Sequence, residues 1–76
     1  MTVEWSPRAV STASRFLEDR GGMAAVLAAA DALAEDSDPA GSFKWGDLQR
    51  LHVGAYRVLS ALEGDLLTIH RVGLVT

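Results

Sequence analysis

Three short runs of strand-forming residues near the C-terminal end are separated by connections of only two residues, and this spacing limits how the chain can fold. The runs cover residues 48–53, 56–62 and 65–72, and the connections are Gly54-Ala55 and Glu63-Gly64. Runs of this length between glycine-containing breaks are typical of strands. Two-residue connections with glycine join antiparallel strands in tight hairpins. The pattern therefore predicts three consecutive antiparallel strands.

The connections also predict which residues face each other, because a two-residue loop determines the register of a hairpin. In the first hairpin the predicted pairs are Val53–Tyr56, His52–Arg57, Leu51–Val58 and Arg50–Leu59. In the second hairpin they are Leu62–Asp65, Val58–Ile69, Arg57–His70 and Tyr56–Arg71.

Side chains of a strand alternate between the two faces of its sheet, so the register predicts one apolar and one polar face. The apolar face, which helices are expected to cover, carries Leu51, Val53, Tyr56, Val58, Leu62, Leu67 and Ile69. The other face carries Arg50, His52, Arg57 and His70 beside Leu59, Ala61, Leu66 and Thr68. Arg71 is predicted at the end of the apolar face, where its charge reaches water.

The first third of the chain predicts a strand followed by a helix. Residues 2–5, "TVEW", alternate in polarity as a short strand does. Ser6 and Pro7 predict a helix start, since serine caps helices and proline is favoured at the first helical position. Gly21 and Gly22 are predicted to follow the end of this helix. Its predicted core-facing residues are Val10, Ala13, Phe16 and Leu17.

A second helix is predicted from Met23 to about Glu35, before a loop over residues 36–46. Its apolar stripe at helical spacing is Met23, Val26, Leu27, Ala30, Leu33 and Ala34. The loop is rich in Asp, Ser, Pro and Gly, and Phe43 and Trp45 are expected to anchor it to the core. The order β-α-α-β-β-β predicts an α+β fold, a small mainly antiparallel sheet with two helices packed on one face.

Size and composition exclude several classes of protein. The 76 residues suit one domain spanning 1–76, and the lack of cysteine excludes disulfides and thiolate metal sites. The N-terminal segment has no features of a signal peptide, and the longest apolar run is too short to span a bilayer. We therefore expect a soluble, cytoplasmic protein that binds no membrane.

Charge is unevenly distributed along the chain. The formal net charge of −3 argues against broad binding to phosphate backbones. Residues 42–76 nevertheless hold four of the seven basic side chains and both histidines. On the predicted polar face, the cationic group of Arg50, His52, Arg57 and His70 could bind an anion, which would relieve the repulsion between like charges. The alternative is that these side chains only keep a solvated sheet face polar.

The second half of the chain resembles the RelE/ParE superfamily of toxins from bacterial toxin–antitoxin pairs. The matching pieces are "KWGDL", "QRLHV", "GAYRVLSALEGDLLTI" and "HRVG", and "VEWSPRAV" resembles the first strand and helix opening of that family. The resemblance implies a small antiparallel sheet with two helices packed against it. RelE-like members cut mRNA in the ribosomal A site, ParE-like members poison DNA gyrase without nuclease activity, and both are neutralised by an antitoxin protein.

The resemblance also implies roles for individual residues. Arg57 matches the active-site arginine of the family's Tyr-Arg motif, and Arg50 and His52 match the two basic positions on the preceding strand. In a RelE-like reaction the arginines would hold the phosphate and His52 would be the base, without a metal or cofactor. His70, which the predicted register places beside Arg57, and Arg71 are assigned to substrate binding, and a structural role is the alternative for Arg71.

The chain departs from the RelE pattern at its C-terminal end. Leu74 and Val75 occupy positions where RelE-like enzymes carry basic residues, and the tyrosine or histidine farther on has no counterpart. A weakened or inactive nuclease, a toxin acting on a protein target and a C-terminal truncation all fit this difference. The sequence predicts a RelE-like toxin whose mRNA interferase (endoribonuclease) activity is reduced or lost. The alternatives are a ParE-like toxin that binds DNA gyrase and an unrelated small α+β domain.

Overall fold

A computed structural model describes residues 1–39 and 41–75 of the chain. Within those ranges the chain forms five strands and two helices. In chain order they are β1 (Thr2–Trp5), α1 (Pro7–Ser14), α2 (Arg20–Ala32), β2 (Ser42–Trp45), β3 (Leu48–Val53), β4 (Tyr56–Glu63) and β5 (Leu66–Leu74). Neither helix in the described ranges is long and apolar enough to cross a membrane.

The strands form a sheet in the order β1-β5-β4-β3-β2. Neighbouring strands are antiparallel except β1 and β5, which are parallel. Helix α1 packs against β5 and β1, and α2 packs against β3 and β4. We call the face that the helices cover the inner face and the opposite one the outer face. The predicted α+β architecture is confirmed, with β2 as an additional strand.

Strand β2 lies in the segment that was predicted to be a loop. It pairs with β3 from Ser42 opposite Leu51 to Trp45 opposite Leu48. Since directly paired residues share a face, Phe43 and Trp45 lie on the outer face, away from the helices. They are 53% and 46% exposed, so the prediction that they anchor the segment to the core is wrong.

The boundary between the two helices also differs from the prediction. Gly21 and Gly22 do not follow the end of α1, since both lie in the first turn of α2. Asp19 caps this helix, because its Oδ1 accepts a 3.0 Å hydrogen bond from the Gly22 N–H. The predicted cap of α1 is confirmed, as the Ser6 hydroxyl accepts from the Ala9 N–H at 3.1 Å. An aspartate at the cap position therefore determines where α2 begins.

The core between helices and sheet is mostly the predicted one. Its buried apolar side chains are Ala9, Met23, Val26, Ala30, Leu33, Leu51, Tyr56, Val58, Leu67, Ile69 and Val72. Val10, Leu17 and Leu27 were predicted to face the core, but they are 53%, 65% and 52% exposed. Helix α1 ends at Ser14, so Leu17 falls beyond the helical period. In α2 the buried residues are Met23, Val26 and Ala30, and Leu27 is not among them.

The first hairpin has the predicted register. Val53 faces Tyr56 and His52 faces Arg57. Gly54, the first residue of the two-residue loop, has φ +59°. Glycine adopts this left-handed conformation without steric cost, which explains why the turn forms here.

The predicted register of the second hairpin is wrong. Its loop is Gly64-Asp65 and not Glu63-Gly64, so Glu63 faces Leu66 and Leu62 faces Leu67. Gly64 has φ +58° and takes the first loop position, as Gly54 does in the other hairpin. Glu63 in that position would need a positive φ, which costs a residue with a side chain about 1–2 kcal/mol.

A β-bulge shifts the register again between β4 and β5. Ser60 pairs with Ile69, whereas the next residue back, Leu59, pairs with Arg71, so His70 pairs with no residue of β4. The predicted pairs Val58–Ile69, Arg57–His70 and Tyr56–Arg71 are therefore wrong. The observed pairs are Val58–Val72, Arg57–Gly73 and Tyr56–Leu74.

Candidate functional site

An open groove on the outer face is lined by arginines from three adjacent strands. Arg50 of β3, Arg57 of β4 and Arg71 of β5 contribute to it. Its remaining lining residues are Leu59, Gly73, Leu74 and Val75, and its volume is about 270 Å³. We call it the cationic groove. No acidic residue lines it in the described part of the chain, so an acidic protein carries a local concentration of positive charge here.

Arg57 is held in place by its own hairpin. Its Nη1 donates hydrogen bonds to the backbone carbonyl oxygens of Gly54, at 3.0 Å, and of Tyr56, at 2.9 Å. Among the described residues, no carboxylate lies within salt-bridge distance of this guanidinium. A fixed guanidinium that no carboxylate neutralises is suited to bind an anion.

Arg71 reaches the groove because of the bulge. It pairs with Leu59 of the outer face, while Ile69 and Val72, three residues apart, are both buried on the inner face. Regular alternation would have put Arg71 with the apolar residues, where the sequence predicted it. The bulge therefore adds a third arginine beside Arg50 and Arg57.

Helix α1 and its cap bind the backbone of β5 at the bulge. The Ser6 N–H donates to the Ile69 carbonyl oxygen at 2.9 Å, and its hydroxyl donates to the His70 carbonyl oxygen at 3.4 Å. The Val72 N–H donates to the Thr12 hydroxyl at 3.0 Å. These bonds satisfy backbone groups of β5 at and beyond the end of its pairing with β1, so α1 stabilises the bulge that orients Arg71.

His70 does not join the groove. The sequence predicted that it faces Arg57 across the second hairpin, but Gly73 takes that position. His70 is the extra residue of the bulge and does not line the groove. A substrate-binding role for His70 within this site therefore has no geometric support, whereas such a role for Arg71 fits its place in the groove.

His52 lies on the outer face beside the groove. It faces Arg57 across the hairpin, and its ring lies against Phe43 with centroids 4.6 Å apart at 39°. Partial burial lowers the pKa of His52 below 6.5, and the charges of Arg57 and Arg50 lower it further. A neutral imidazole can accept a proton, so the geometry is compatible with His52 as a base.

Sequence reasoning missed the aromatic side chains of β2 as part of this surface. Arg50 lies over the Trp45 ring, with its Cζ 5.1 Å from the centroid, and Phe43 contacts His52. The alternation of polar and apolar residues in "SFKW" is typical of a strand, but the preceding Pro and Gly favoured a loop over all of residues 36–46. The aromatic rings extend the groove across a fourth strand.

The site offers cationic and basic groups but no carboxyl or phenol acid in its described lining. Leu74 and Val75 also line the groove and supply apolar surface. Among the described residues, no group of three or more His, Cys, Asp or Glu could hold a metal ion. The groove is therefore suited to bind an anionic group and to abstract a proton near it.

Comparisons with known proteins find a similarity among solved structures. Neither a scan against models of protein families nor a search of curated proteins finds a match. Among solved structures, the chain is similar to one described as "Chromosomal ParDE TA system from P. aeruginosa". The TM-score is 0.81 at 12% sequence identity, over 100% of this chain and 97% of that chain. The likeness confirms that this chain has the fold that the resemblance implied.

Proposed function

We propose that this chain is the toxin component of a type II toxin–antitoxin system and acts on mRNA through the cationic groove. The observation that carries the proposal is the convergence of Arg50, Arg57 and Arg71 in one groove on this fold. Arg57 and Arg50 are also the residues that the RelE resemblance assigns to the phosphate. Guanidinium groups bind phosphate oxygens through paired hydrogen bonds, so an RNA backbone is a fitting ligand.

The proposed reaction needs no metal or cofactor. The 2′-oxygen of one ribose attacks the adjacent phosphorus, so that an O2′–P bond forms and the P–O5′ bond breaks. His52 takes the proton of the 2′-hydroxyl, and the arginines stabilise the negative charge of the phosphorane. The 5′-oxygen leaves with the electron pair of the broken bond and takes a proton from water. An enzyme without a general acid is slower by about 10²- to 10⁴-fold, which is why the proposed cleavage is weak.

A second candidate is a ParE-like toxin that binds DNA gyrase and cuts no RNA. The likeness to a chain of a ParDE system favours it, although a fold at 12% identity does not identify a target. The apolar side chains of Leu74 and Val75, where RelE-like enzymes have basic residues, also suit a protein target better than a nucleic acid.

In both cases the proposed partner is a cognate antitoxin that keeps the toxin inactive in the cytoplasm. A short neighbouring gene for such a protein would be the simplest support. Expression of the chain without it is expected to arrest growth, and coexpression with it is expected to restore growth. No growth arrest would contradict both forms of the proposal.

The deciding experiment compares the wild-type chain with Arg57→Ala, and with Arg20→Ala as the matched control. Arg20 is an exposed arginine at the start of α2, on the helix side of the molecule. If the chain is an mRNA interferase, fragments of ribosome-bound mRNA appear with the wild type and Arg20→Ala but not with Arg57→Ala. DNA damage signalling with intact mRNA would instead favour gyrase. Thermal unfolding of the purified variants checks that Arg57→Ala leaves the fold intact.

A further inference from the structure

The aromatic side chains of β2 continue the cationic groove to the edge of the sheet. Strands lie about 4.8 Å apart, so the surface from Arg71 on β5 to Phe43 and Trp45 on β2 spans about 14 Å. Arg50 belongs to both parts, since it lines the groove and lies over the Trp45 ring. Charged and aromatic groups therefore form one continuous surface.

Both rings present much of their surface to solvent. Phe43 is 53% exposed and Trp45 is 46% exposed, although a folded chain gains free energy by burying such residues. Phe43 packs against the His52 ring, and the Arg50 guanidinium lies over the Trp45 ring. An exposed aromatic pair beside arginines is the combination by which proteins bind single-stranded nucleic acids.

We infer that Phe43 and Trp45 form a stacking subsite for the bases of a single-stranded RNA whose phosphates lie in the cationic groove. The inference rests on the proposed function and adds to it the part of the substrate that is recognised. Duplex RNA hides the faces of its bases, so this subsite selects unpaired nucleotides. The choice of a nucleic acid over an acidic peptide follows from the exposed aromatic rings beside the arginines, because bases stack on such rings whereas an acidic peptide needs only the positive charge.

The test measures binding of the full chain to three fluorescent probes of equal length. They are a single-stranded RNA, the same ribose-phosphate chain without bases, and a duplex RNA. The wild type is expected to bind the single strand more tightly than either of the other probes. A single-stranded DNA of the same sequence shows whether the 2′-hydroxyl contributes.

Variants separate stacking from charge. Phe43→Leu is expected to weaken binding of the single-stranded RNA by about 5- to 150-fold, and to leave the base-free probe unaffected. Leu17→Ala, which changes an exposed apolar residue on the helix side, is the control. Tryptophan fluorescence gives a second test that does not depend on Phe43→Leu. A base stacked on Trp45 should quench the fluorescence of the wild type, and this quenching should be lost in Trp45→Phe.

The outcomes distinguish the inference from the proposed function. Equal binding of the base-free and base-bearing probes by the wild type would overturn the stacking subsite while leaving the phosphate-binding groove. No binding of any RNA would overturn both the subsite and the mRNA proposal. Binding of an acidic peptide that is lost in Phe43→Leu, without binding of RNA, would identify the surface as a protein-binding site instead.

Discussion

The hydroxyl of Tyr56 donates a 2.7 Å hydrogen bond to Oδ2 of Asp19, and this bond joins the first residue of β4 to the cap of α2. The other carboxylate oxygen of Asp19 accepts from the Gly22 N–H. The Tyr56 ring is buried and meets Phe16 edge-on, with centroids 5.4 Å apart. One side chain thus connects the helix layer to the hairpin that carries His52 and Arg57.

Replacing Tyr56 by phenylalanine is expected to change how stability depends on pH. The hydrogen bond to Asp19 raises the pKa of Tyr56 above 10.0, so the bond stabilises the fold below pH 10 and is lost as the pH rises through the higher folded pKa. The same bond, followed by the Gly22 N–H, lowers the pKa of Asp19 below 3.8, so its contribution is present above pH 3.8 and is lost as the pH falls through the folded pKa. Tyr56→Phe should remove the loss of stability at alkaline pH and reduce the loss of stability at acid pH.

The measurement is the thermal unfolding midpoint across pH 2 to 11, with the Asp19 carboxyl followed by NMR. At neutral pH the variant should unfold about 5 °C lower, because a single hydrogen bond is lost while the ring stays packed. Asp31→Asn, at an exposed carboxylate of the same helix, serves as the control. An unchanged Asp19 pKa in Tyr56→Phe would show that the bond is absent in solution.

Gly22 permits the contact between Asp19 and Tyr56. A Cβ at this position would overlap Oδ2 of Asp19 and come within 2.6 Å of Cε2 of Tyr56, whereas a Cβ on the neighbouring Gly21 meets nothing within 4 Å. Gly22→Ala should therefore reduce the free energy of unfolding by about 1–3 kcal/mol. Gly21→Ala is the matched control and should be neutral or stabilise by up to about 1 kcal/mol. Chemical denaturation measures both, and equal effects would contradict the steric argument.

The contrast between the two hairpins shows how far sequence reasoning reaches. The register at Gly54-Ala55 was predictable because glycine stands where the turn needs a positive φ, and Arg50, His52 and Arg57 were therefore correctly assigned to one face. In the second hairpin, placing Gly64 at the first loop position, as Gly54 is in the first hairpin, gives the observed loop. The predicted register was wrong because Gly64 was placed at the second loop position. The bulge, unlike the two turns, is not determined by local sequence. It depends on Ser6 and Thr12, about 60 residues earlier in the chain, and no local pattern around Arg71 indicates it.

Thr12 should matter for the bulge more than its partly buried position suggests. Its hydroxyl accepts from the Val72 N–H and donates to the Ala9 carbonyl oxygen at 3.0 Å. Thr12→Val keeps the shape but leaves a buried N–H without a partner, which should cost about 1–3 kcal/mol of stability. Thr68→Val, the same change on the outer face of β5, should alter stability by less than about 0.5 kcal/mol.

Hydrogen exchange of the Val72 amide tests the cause directly. The amide is expected to exchange faster in Thr12→Val than in the wild type, beyond the change in global stability, and to be unaffected in Thr68→Val. Weaker binding of inorganic phosphate by Thr12→Val would show that the bulge positions Arg71 for the groove. Unchanged exchange would mean that Val72 finds another partner and that Thr12 is dispensable.

The pKa of His52 reports on the charge of the groove. Partial burial is the largest cause that lowers the pKa of His52, and the charges of Arg57 and Arg50 lower it further, so His52 should titrate below pH 6.5. Arg57→Gln should raise the pKa toward 6.5 without reaching it, because the burial remains, and Arg20→Gln should leave it unchanged. Added phosphate or an RNA strand should raise it in the wild type, since the bound anion offsets the arginine charges. NMR titration in a His70→Gln background observes His52 alone.

The same shift predicts a stability effect of definite sign. Because the pKa of His52 is lower in the folded protein than in the unfolded chain, the unfolded chain binds the proton more readily. The contribution of His52 to folding stability is therefore fully present above pH 6.5 and is lost as the pH falls through the folded pKa. The loss should be smaller in Arg57→Gln and smaller still when phosphate is bound. If His52 instead titrates above pH 6.5 in the free protein, the arginines do not act on it, and its assignment as a neutral base in the groove is wrong.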